Sequence, residues 1–434
     1  MLSLAMDAVR KSAERSKEAS YRLQSMDSRT KDKALAAISA ELRKSRREIV
    51  AANKKDLSAA EKSGLSKPLV KRLRYDDQKI DDSINSIESL IGQEDPIGKI
   101  LEKTELDKEL ILEKVSSPIG VIAVIFESRP DALVQISTLC IKSGNAVILK
   151  GGSEADNTNR ALARAINKAL LATDKRFKDA VQLLSTREQV KKLLALDDLV
   201  DLIIPRGSNE LVKSIQNSTR IPVMGHAAGV CHTYVDSEAD VNMAVKVSFD
   251  AKCQYPAVCN AMETLLVHKD VAKRFLPKMA KKYRAASVEL RGDKETRKHI
   301  KAKQASEKDW STEYNDLILS IKIVPSLEEA ITHINRYGSH HTDAIITKNP
   351  ANARKFLDMV DSSSVFWNCS TRFADGYRYG FGAEVGISTN KTHARGPVGL
   401  EGLVIYKYRL IGKGHIVAHY SGKGRKKFTH RKLR

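Results

Sequence analysis

A chain of 434 residues with a hydrophobic fraction of 42% is long enough for two or three domains and a sizeable core, which excludes a disordered tail. No stretch approaches the roughly 20 apolar residues of a spanning helix. The formal charge of +21 is concentrated in two places: residues 271–303 hold 12 Lys or Arg against 3 Asp or Glu, and residues 421–434 hold 7 basic and no acidic residues. The remainder is near balance, so the charge reads as two solvated decorations, and neither run interleaves the aromatics of a single-strand binding platform. Weak polyanion binding needs only clustered Lys and Arg and stays open as a lesser alternative.

The opening, residues 1–24, lacks the continuous apolar core of a secretory signal. It is basic and amphipathic in the manner of a transit peptide, but Asp7, Glu14 and Glu18 break that pattern and a first domain helix is expected. Residues 1–95 read as helical, with Leu35, Ile38, Leu42 and Ile49 on one apolar face. A hairpin-like stretch, Leu106 to Val115, follows. After Pro118 the pattern becomes alternating. Strands are expected at 121–126, 146–150 and 199–204, helices at 132–141, from 157 and at 211–215. Such alternation implies parallel pairing through right-handed crossovers, an α/β sheet covered on both faces. A second alternating set has candidate strands at 230–235, 261–267, 318–324, 344–346 and 363–367. The helix 327–337 has Ser326 as N-cap, Glu329 to complete a capping box and Gly338 to end it. Residues 370–400 are rich in glycine and polar groups, and 402–411 reads as a last β segment.

Five cysteines, at 140, 231, 253, 259 and 369, are odd in number and scattered, which suits a reducing, cytoplasmic compartment better than a disulfide framework. Cys253 and Cys259 match no zinc spacing, and the adjacent His340 and His341 would point to opposite faces of a strand, so no metal site is expected. Cys259 is the conspicuous one. It follows Pro256, precedes Asn260 and stands at the mouth of the buried strand, where a thiol can attack a carbonyl. The bland alternative is a small buried hydrophobe. No adjacent base is evident in the sequence.

The blocks Ser117–Val121, Phe126–Pro130, Lys142–Gly152, Tyr255–His268, Gly382–Gly386 and His393–Pro397 closely resemble the γ-glutamyl phosphate reductase family of the aldehyde dehydrogenase superfamily. The resemblance runs from the early helices to Gly414 and leaves the two basic runs largely outside. It implies an aldehyde dehydrogenase-like α/β fold: two parallel-sheet α/β domains plus a small β oligomerisation element. The cofactor-binding domain would be 1–99 with 117–235, the catalytic domain 236–398, and the oligomerisation element 100–116 with 399–434, including the basic tail.

The activity implied is NADPH-dependent reduction of L-glutamate 5-phosphate to glutamate 5-semialdehyde with release of phosphate. A homo-oligomer and a functional association with glutamate 5-kinase belong to the same expectation. By resemblance Cys259 is the nucleophile, and its N–H and the Asn260 side chain are the nearest oxyanion donors. Ser128 stands where aldehyde dehydrogenases supply an asparagine. The stretch 224–230 lacks the glutamate with which oxidising members activate water, which suits a reductase; His226 is either a base or structural. Lys150 would reach the adenosine ribose or its 2′-phosphate, Gly207 and Ser208 would open a helix toward a phosphate, and Glu313 would hold the nicotinamide ribose. G-x-G-x-x-G is absent. Arg129, Arg372, Arg378 and Arg395 are the candidates for the substrate's phosphate and carboxylate, because guanidinium pairs with both bidentately. The alternatives are another oxidoreductase of the superfamily acting on a different acyl or aldehyde substrate, and a basic polyanion-binding protein on the same fold.

Overall fold

The computed structural model describes residues 2–226 and 228–434. Within them the first hundred residues are helical as expected, in the elements Leu2–Leu23, Ser28–Lys44, Arg46–Lys62, Lys67–Leu73 and Asp77–Ile91. Asp27 and Asp76 cap two of these by accepting from the backbone N–H three residues on. The apolar face read across 35–49 is divided at Ser45, where one helix ends and the next begins. Leu35, Ile38, Leu42 and Ile49 are nonetheless all buried in one core.

That core is built on a four-stranded parallel sheet in the order Val181–Leu183, Ala146–Lys150, Val121–Phe126, Leu202–Arg206. Every residue of Val121–Phe126 and Ala146–Lys150 is buried, which is why these strands read as unbroken apolar runs. Helices Pro130–Lys142 and Asp156–Thr173 make the crossovers. The three-residue edge strand Val181–Leu183 is too short to show a pattern. The strand expected at 199–204 starts later: Leu199 and Val200 donate back to the Leu196 carbonyl in a turn, and the Asp201 carboxylate accepts the Val121 N–H at 2.8 Å. The shift sets Arg206 at the strand's carboxyl end.

A second, seven-stranded parallel sheet runs in the order Lys303–Gln304, Glu289–Gly292, Ile318–Val324, Met262–His268, Cys231–Val235, Thr342–Ile346, Ser364–Trp367. Helices Val241–Cys253 and Lys269–Ala285 cover one face; Leu327–Tyr337 and Pro350–Met359 cover the other. The strong basic run at 271–303 begins on the outer face of Lys269–Ala285, a solvated surface. Ser326 caps Leu327–Tyr337 by accepting from the Glu329 N–H at 3.2 Å, but the reciprocal half of the expected capping box is not formed: the Glu329 carboxylate faces Lys322 at 3.8 Å. Gly338 follows the helix in an extended conformation with its N–H on the Ile334 carbonyl, an approach so close that a Cβ there would lie 2.6 Å from that oxygen.

The hairpin Ile100–Asp107 and Leu110–Pro118 lies in a separate antiparallel sheet, between Val404–Ile411 on one side and Arg431–Lys432 on the other. The basic tail is therefore strand-paired: Thr104 lies opposite Lys432 and Glu105 opposite Arg431. Tyr420 stacks on Phe428 with ring centroids 4.5 Å apart. From the segment before this sheet, Ala383, Val385, Ala394, Val398, Leu400 and Leu403 pack back into the first core. Among the described residues no helix is long and apolar enough to cross a membrane.

Candidate active site

Parallel strands start at a common edge, and three neighbours in the seven-stranded sheet bring chemistry to theirs. His226 lies five residues before Cys231–Val235, Cys259 three before Met262–His268, and His341 directly before Thr342–Ile346. Cys259 occupies the loop between the end of helix Val241–Cys253 and its strand. Lys252 and Glu263 close the base of that loop with an ion pair of 2.6 Å, and both side chains are fully buried. Burial pushes the Glu263 carboxyl up to about 7 against the pull of Lys252. From the other side Gly229 presses on the loop so closely that a Cβ would lie 2.2 Å from the Cys259 carbonyl oxygen. The Cys231 thiol donates to that same oxygen at 3.2 Å.

The Cys259 Sγ is half-buried and 3.1 Å from the His341 Nε2. This contact is the feature that sequence reading missed. His340 takes a left-handed φ of 59°, and after that sharp turn the two adjacent imidazoles part company. His340 meets the Asp361 carbonyl, while His341 is fully buried with Nδ1 2.8 Å from the Thr342 hydroxyl. The His226 ring meets that of His341 edge-on at 5.0 Å and donates from Nδ1 to the Ile387 carbonyl at 3.0 Å. Burial lowers the His226 pKa, so this imidazole is held neutral.

Asn260 is less available than its position suggests. Its amide donates to the Ala374 carbonyl at 2.8 Å, pinning the cysteine loop to the Thr371–Phe373 turn, while its Oδ1 is buried with no partner among the described residues. The Ser128 N–H and hydroxyl both go to the Glu154 carboxylate, at a left-handed φ of 43°. Of the four arginines, Arg372 comes nearest the chemistry. Its guanidinium is buried, bonds through Nε to the neutral Gln254 at 2.9 Å, and is destabilised by that burial and by Arg378, with Cys259 acting the other way. Arg378 spends itself on Asp375 at 3.4 Å and on the Arg372 carbonyl. Arg395 is held by Asp361 at 3.0 Å. Arg129 stands before helix Pro130–Lys142 and repels Arg206, a residue the sequence did not single out. Burial and Arg129 weaken the Arg206 charge; Glu384, Asp131 and Cys259 support it.

Arg206 belongs to the carboxyl edge of the first sheet, which faces the amino edge of the second. The cofactor candidates lie along this seam. Gly207 and Ser208 do open helix Asn209–Gln216, with Ser208 as its N-cap, but the Ser208 N–H is taken by the Glu127 carboxylate at 2.9 Å. Glu313 accepts from Asn209 at 3.0 Å and so bridges the two units. Lys150 is buried at the end of its strand and donates to the Gly151 carbonyl. Among the described residues it makes no ion pair, and burial lowers its pKa, with Glu154 opposing.

The aldehyde dehydrogenase family model matches residues 4–309. A γ-glutamyl phosphate reductase of Pelotomaculum thermopropionicum is 59% identical over 425 residues, covering 97% of this chain and 96% of the relative. The chain belongs to the γ-glutamyl phosphate reductases. These are aldehyde dehydrogenase-type oxidoreductases of proline biosynthesis, and the family works with a nicotinamide cofactor. The crystal structure of the Thermotoga maritima γ-glutamyl phosphate reductase superposes with a TM-score of 0.92 at 40% identity, over 94% of this chain and 99% of that one. An engineered glycolyl-CoA reductase with bound NADP⁺ shares the fold alone, with a TM-score of 0.63 at 14% identity over 93% of this chain and 96% of that one.

Proposed function

We propose that this chain reduces L-glutamate 5-phosphate to L-glutamate 5-semialdehyde with release of phosphate, using NADPH, through a thioester on Cys259. The observation that carries this reading is the contact between Cys259 Sγ and His341 Nε2 at 3.1 Å. A thiol is a poor nucleophile until its proton has somewhere to go, and the imidazole supplies that place. Sγ attacks the acyl carbon while His341 takes its proton; the carbon–oxygen bond to phosphate breaks and phosphate leaves. The N–H of Cys259 has no partner among the described residues and is free to donate to the carbonyl oxygen as charge builds there. The thioester would be reduced by hydride from NADPH held at Lys150 and Glu313. The resulting hemithioacetal then collapses, releasing the aldehyde and leaving sulfur to recover the proton from His341. The stretch 224–230, where oxidising members carry their water-activating glutamate, offers instead the half-buried His226, whose pKa burial lowers, so that position supplies water no carboxylate base.

The residues present suit the cofactor. The Lys150 ammonium, buried and without an ion pair among the described residues, fits an anionic ribose phosphate, and Glu313 would hold the second ribose across the seam. The amides at Gly207 and Ser208 would become available as Glu127 gives way. Arg372, whose guanidinium hydrogen-bonds the neutral Gln254 and makes no ion pair among the described residues, is the arginine best placed for the substrate phosphate, and Arg206 supports it. The remaining parts of the reading follow from the layout. The first sheet with its helices binds the cofactor (1–99 and 117–230) and the second carries the nucleophile (231–398); the boundary expected at 235 moves back because strand Cys231–Val235 pairs between Met262–His268 and Thr342–Ile346 in the second sheet. The antiparallel sheet joins copies of the chain. Its strand Val404–Ile411 exposes Ile405, Tyr406, Tyr408, Leu410 and Ile411. Glutamate 5-kinase would supply the acyl phosphate, in the cytoplasm.

Running the reaction backwards tests the assignment: glutamate 5-semialdehyde and phosphate together should drive NADP⁺ reduction. Equal rates without phosphate would point to an aldehyde-oxidising enzyme instead.

A further inference from the structure

The cluster at the amino edge of the second sheet has a capacity that the reduction does not use. The donor atoms of His226, Cys259 and His341 all lie within 4.8 Å of one another. We propose that the resting enzyme binds one Zn²⁺ through Cys259 Sγ, His226 Nε2 and His341 Nε2, an inhibitory site whose fourth position is left to water.

Two soft or borderline nitrogens and a thiolate are the ligand set zinc prefers, and three protein ligands with one open position is a common zinc arrangement. Zinc–sulfur and zinc–nitrogen bonds of about 2.3 and 2.0–2.1 Å place tetrahedral donors roughly 3.3–3.6 Å apart. The 3.1 Å contact between Cys259 and His341 therefore opens slightly, and the longest edge, at most 4.8 Å, closes by up to about 1.2–1.5 Å, within reach of side-chain rotation.

Both imidazoles are already oriented for this. The Ile387 carbonyl only accepts, so His226 carries its proton on Nδ1 and keeps a lone pair on Nε2. The Thr342 hydroxyl engages His341 Nδ1 and leaves Nε2 toward the sulfur. Outer-shell oxygens on the second ring nitrogen are what hold metal-ligating histidines in place. The three residues also hang from three adjacent strands, so little ordering remains to be done on binding.

On binding, the Cys259 S–H bond breaks, its proton passes to solvent and the sulfur lone pair goes to zinc. That lone pair is the one required to attack the acyl phosphate, so metal and substrate exclude each other. Binding does not depend on the reductase reading; the inhibition does.

The test uses the metal-free full chain. Zn²⁺ titrated by calorimetry should give one ion per chain, and Co²⁺ should give a thiolate-to-cobalt charge-transfer band. Loss of an outer-shell partner alone weakens metal sites by about 10–100-fold, so Cys259→Ser, His226→Asn and His341→Asn should each weaken binding by at least about tenfold. Zinc should also slow alkylation of Cys259 by iodoacetamide, with the rate restored by EDTA, a measurement on the unaltered chain that stands whether or not a variant folds. Wild-type affinity in Cys259→Ser, absence of the cobalt band, or unprotected alkylation would each overturn the site, the first by placing zinc on surface histidines. If zinc binds this way but leaves NADPH-dependent turnover intact, the inhibition is wrong and the role of Cys259 with it. If the zinc-free enzyme has no turnover, the reductase reading fails while the metal site stands.

Discussion

At the scale of single residues the proposed reaction rests on a sulfur and an imidazole from distant parts of the chain. Replacing Cys259 by Ser should leave fold and cofactor affinity intact and reduce steady-state turnover to below a few per cent. His341 stands beside the new hydroxyl, but a serine is so much weaker an acid than a thiol that the neighbour cannot make good the loss. Cys253→Ala serves as the control. That thiol is pushed up to about 11 by burial and should be dispensable, so a large loss there would mean the wrong cysteine had been chosen. His341→Asn keeps a polar side chain without a useful base. Positioned acid–base groups are worth about 10²–10⁴-fold, so kcat should fall within that range. The alkylation rate of Cys259 at neutral pH should fall too, a readout that a purely structural histidine would not move.

At the scale of elements, the cysteine loop is only as well placed as its base. Removing one partner of a buried ion pair leaves the other charge uncompensated, so Glu263→Gln should cost about 3–5 kcal/mol in denaturant unfolding. The double replacement Lys252→Met with Glu263→Leu should recover most of that, because two well-packed apolar side chains no longer need each other; failure to recover would show that the pair does more than neutralise itself. On the opposite face of the same sheet, His333 sits among Trp310, His232 and Tyr337, with Lys322 3.3 Å from its Nδ1. Burial first, then the neighbouring His232 and Lys322, depresses its pKa to about 2. The unfolded chain accepts a proton there below about pH 6.5 and the folded chain refuses it, so stability is full above that pH and falls as pH drops. From pH 7 to pH 5 this one group should cost about 2 kcal/mol, and His333→Phe should flatten the slope of stability against pH over that window. An unchanged slope would show that the ring protonates in place.

For the whole molecule the informative surprise is the tail. Its seven basic residues have the composition of a loose terminus, yet Lys103, Glu105 and Leu106 bind its backbone and side chains along the hairpin edge. Covering the free N–H and C=O groups of Ile100–Asp107 is a physical reason for it to lie there, since an open strand edge invites unwanted pairing. Deleting residues 421–434 should leave kcat nearly unchanged and raise the tendency to self-associate, read by light scattering. The lost positive charge should also lower kcat/KM modestly, in low salt only, because screening over a Debye length of about 8 Å removes such steering at physiological ionic strength. A salt-independent fall in kcat would place the tail within the working machinery.

Much of this architecture was readable from local pattern. Val121–Phe126, Ala146–Lys150 and Ile318–Val324 begin and end where their apolar runs do, and Ser326 caps the helix it was expected to cap. Elements declare themselves when their signal lies in neighbouring residues, and a buried parallel strand or a capped helix is of that kind. The short Val181–Leu183, the paired tail and the late start of Leu202–Arg206 do not, because a sheet partner, an available edge and the Asp201–Val121 bond decide them. The site divides in the same way. Cys259 could be singled out from the residues around it. Its partners His226 and His341, however, are separated from it by 33 and 82 positions in the chain. Only the order of three adjacent parallel strands brings their starts to one edge, and no local spacing encodes that order.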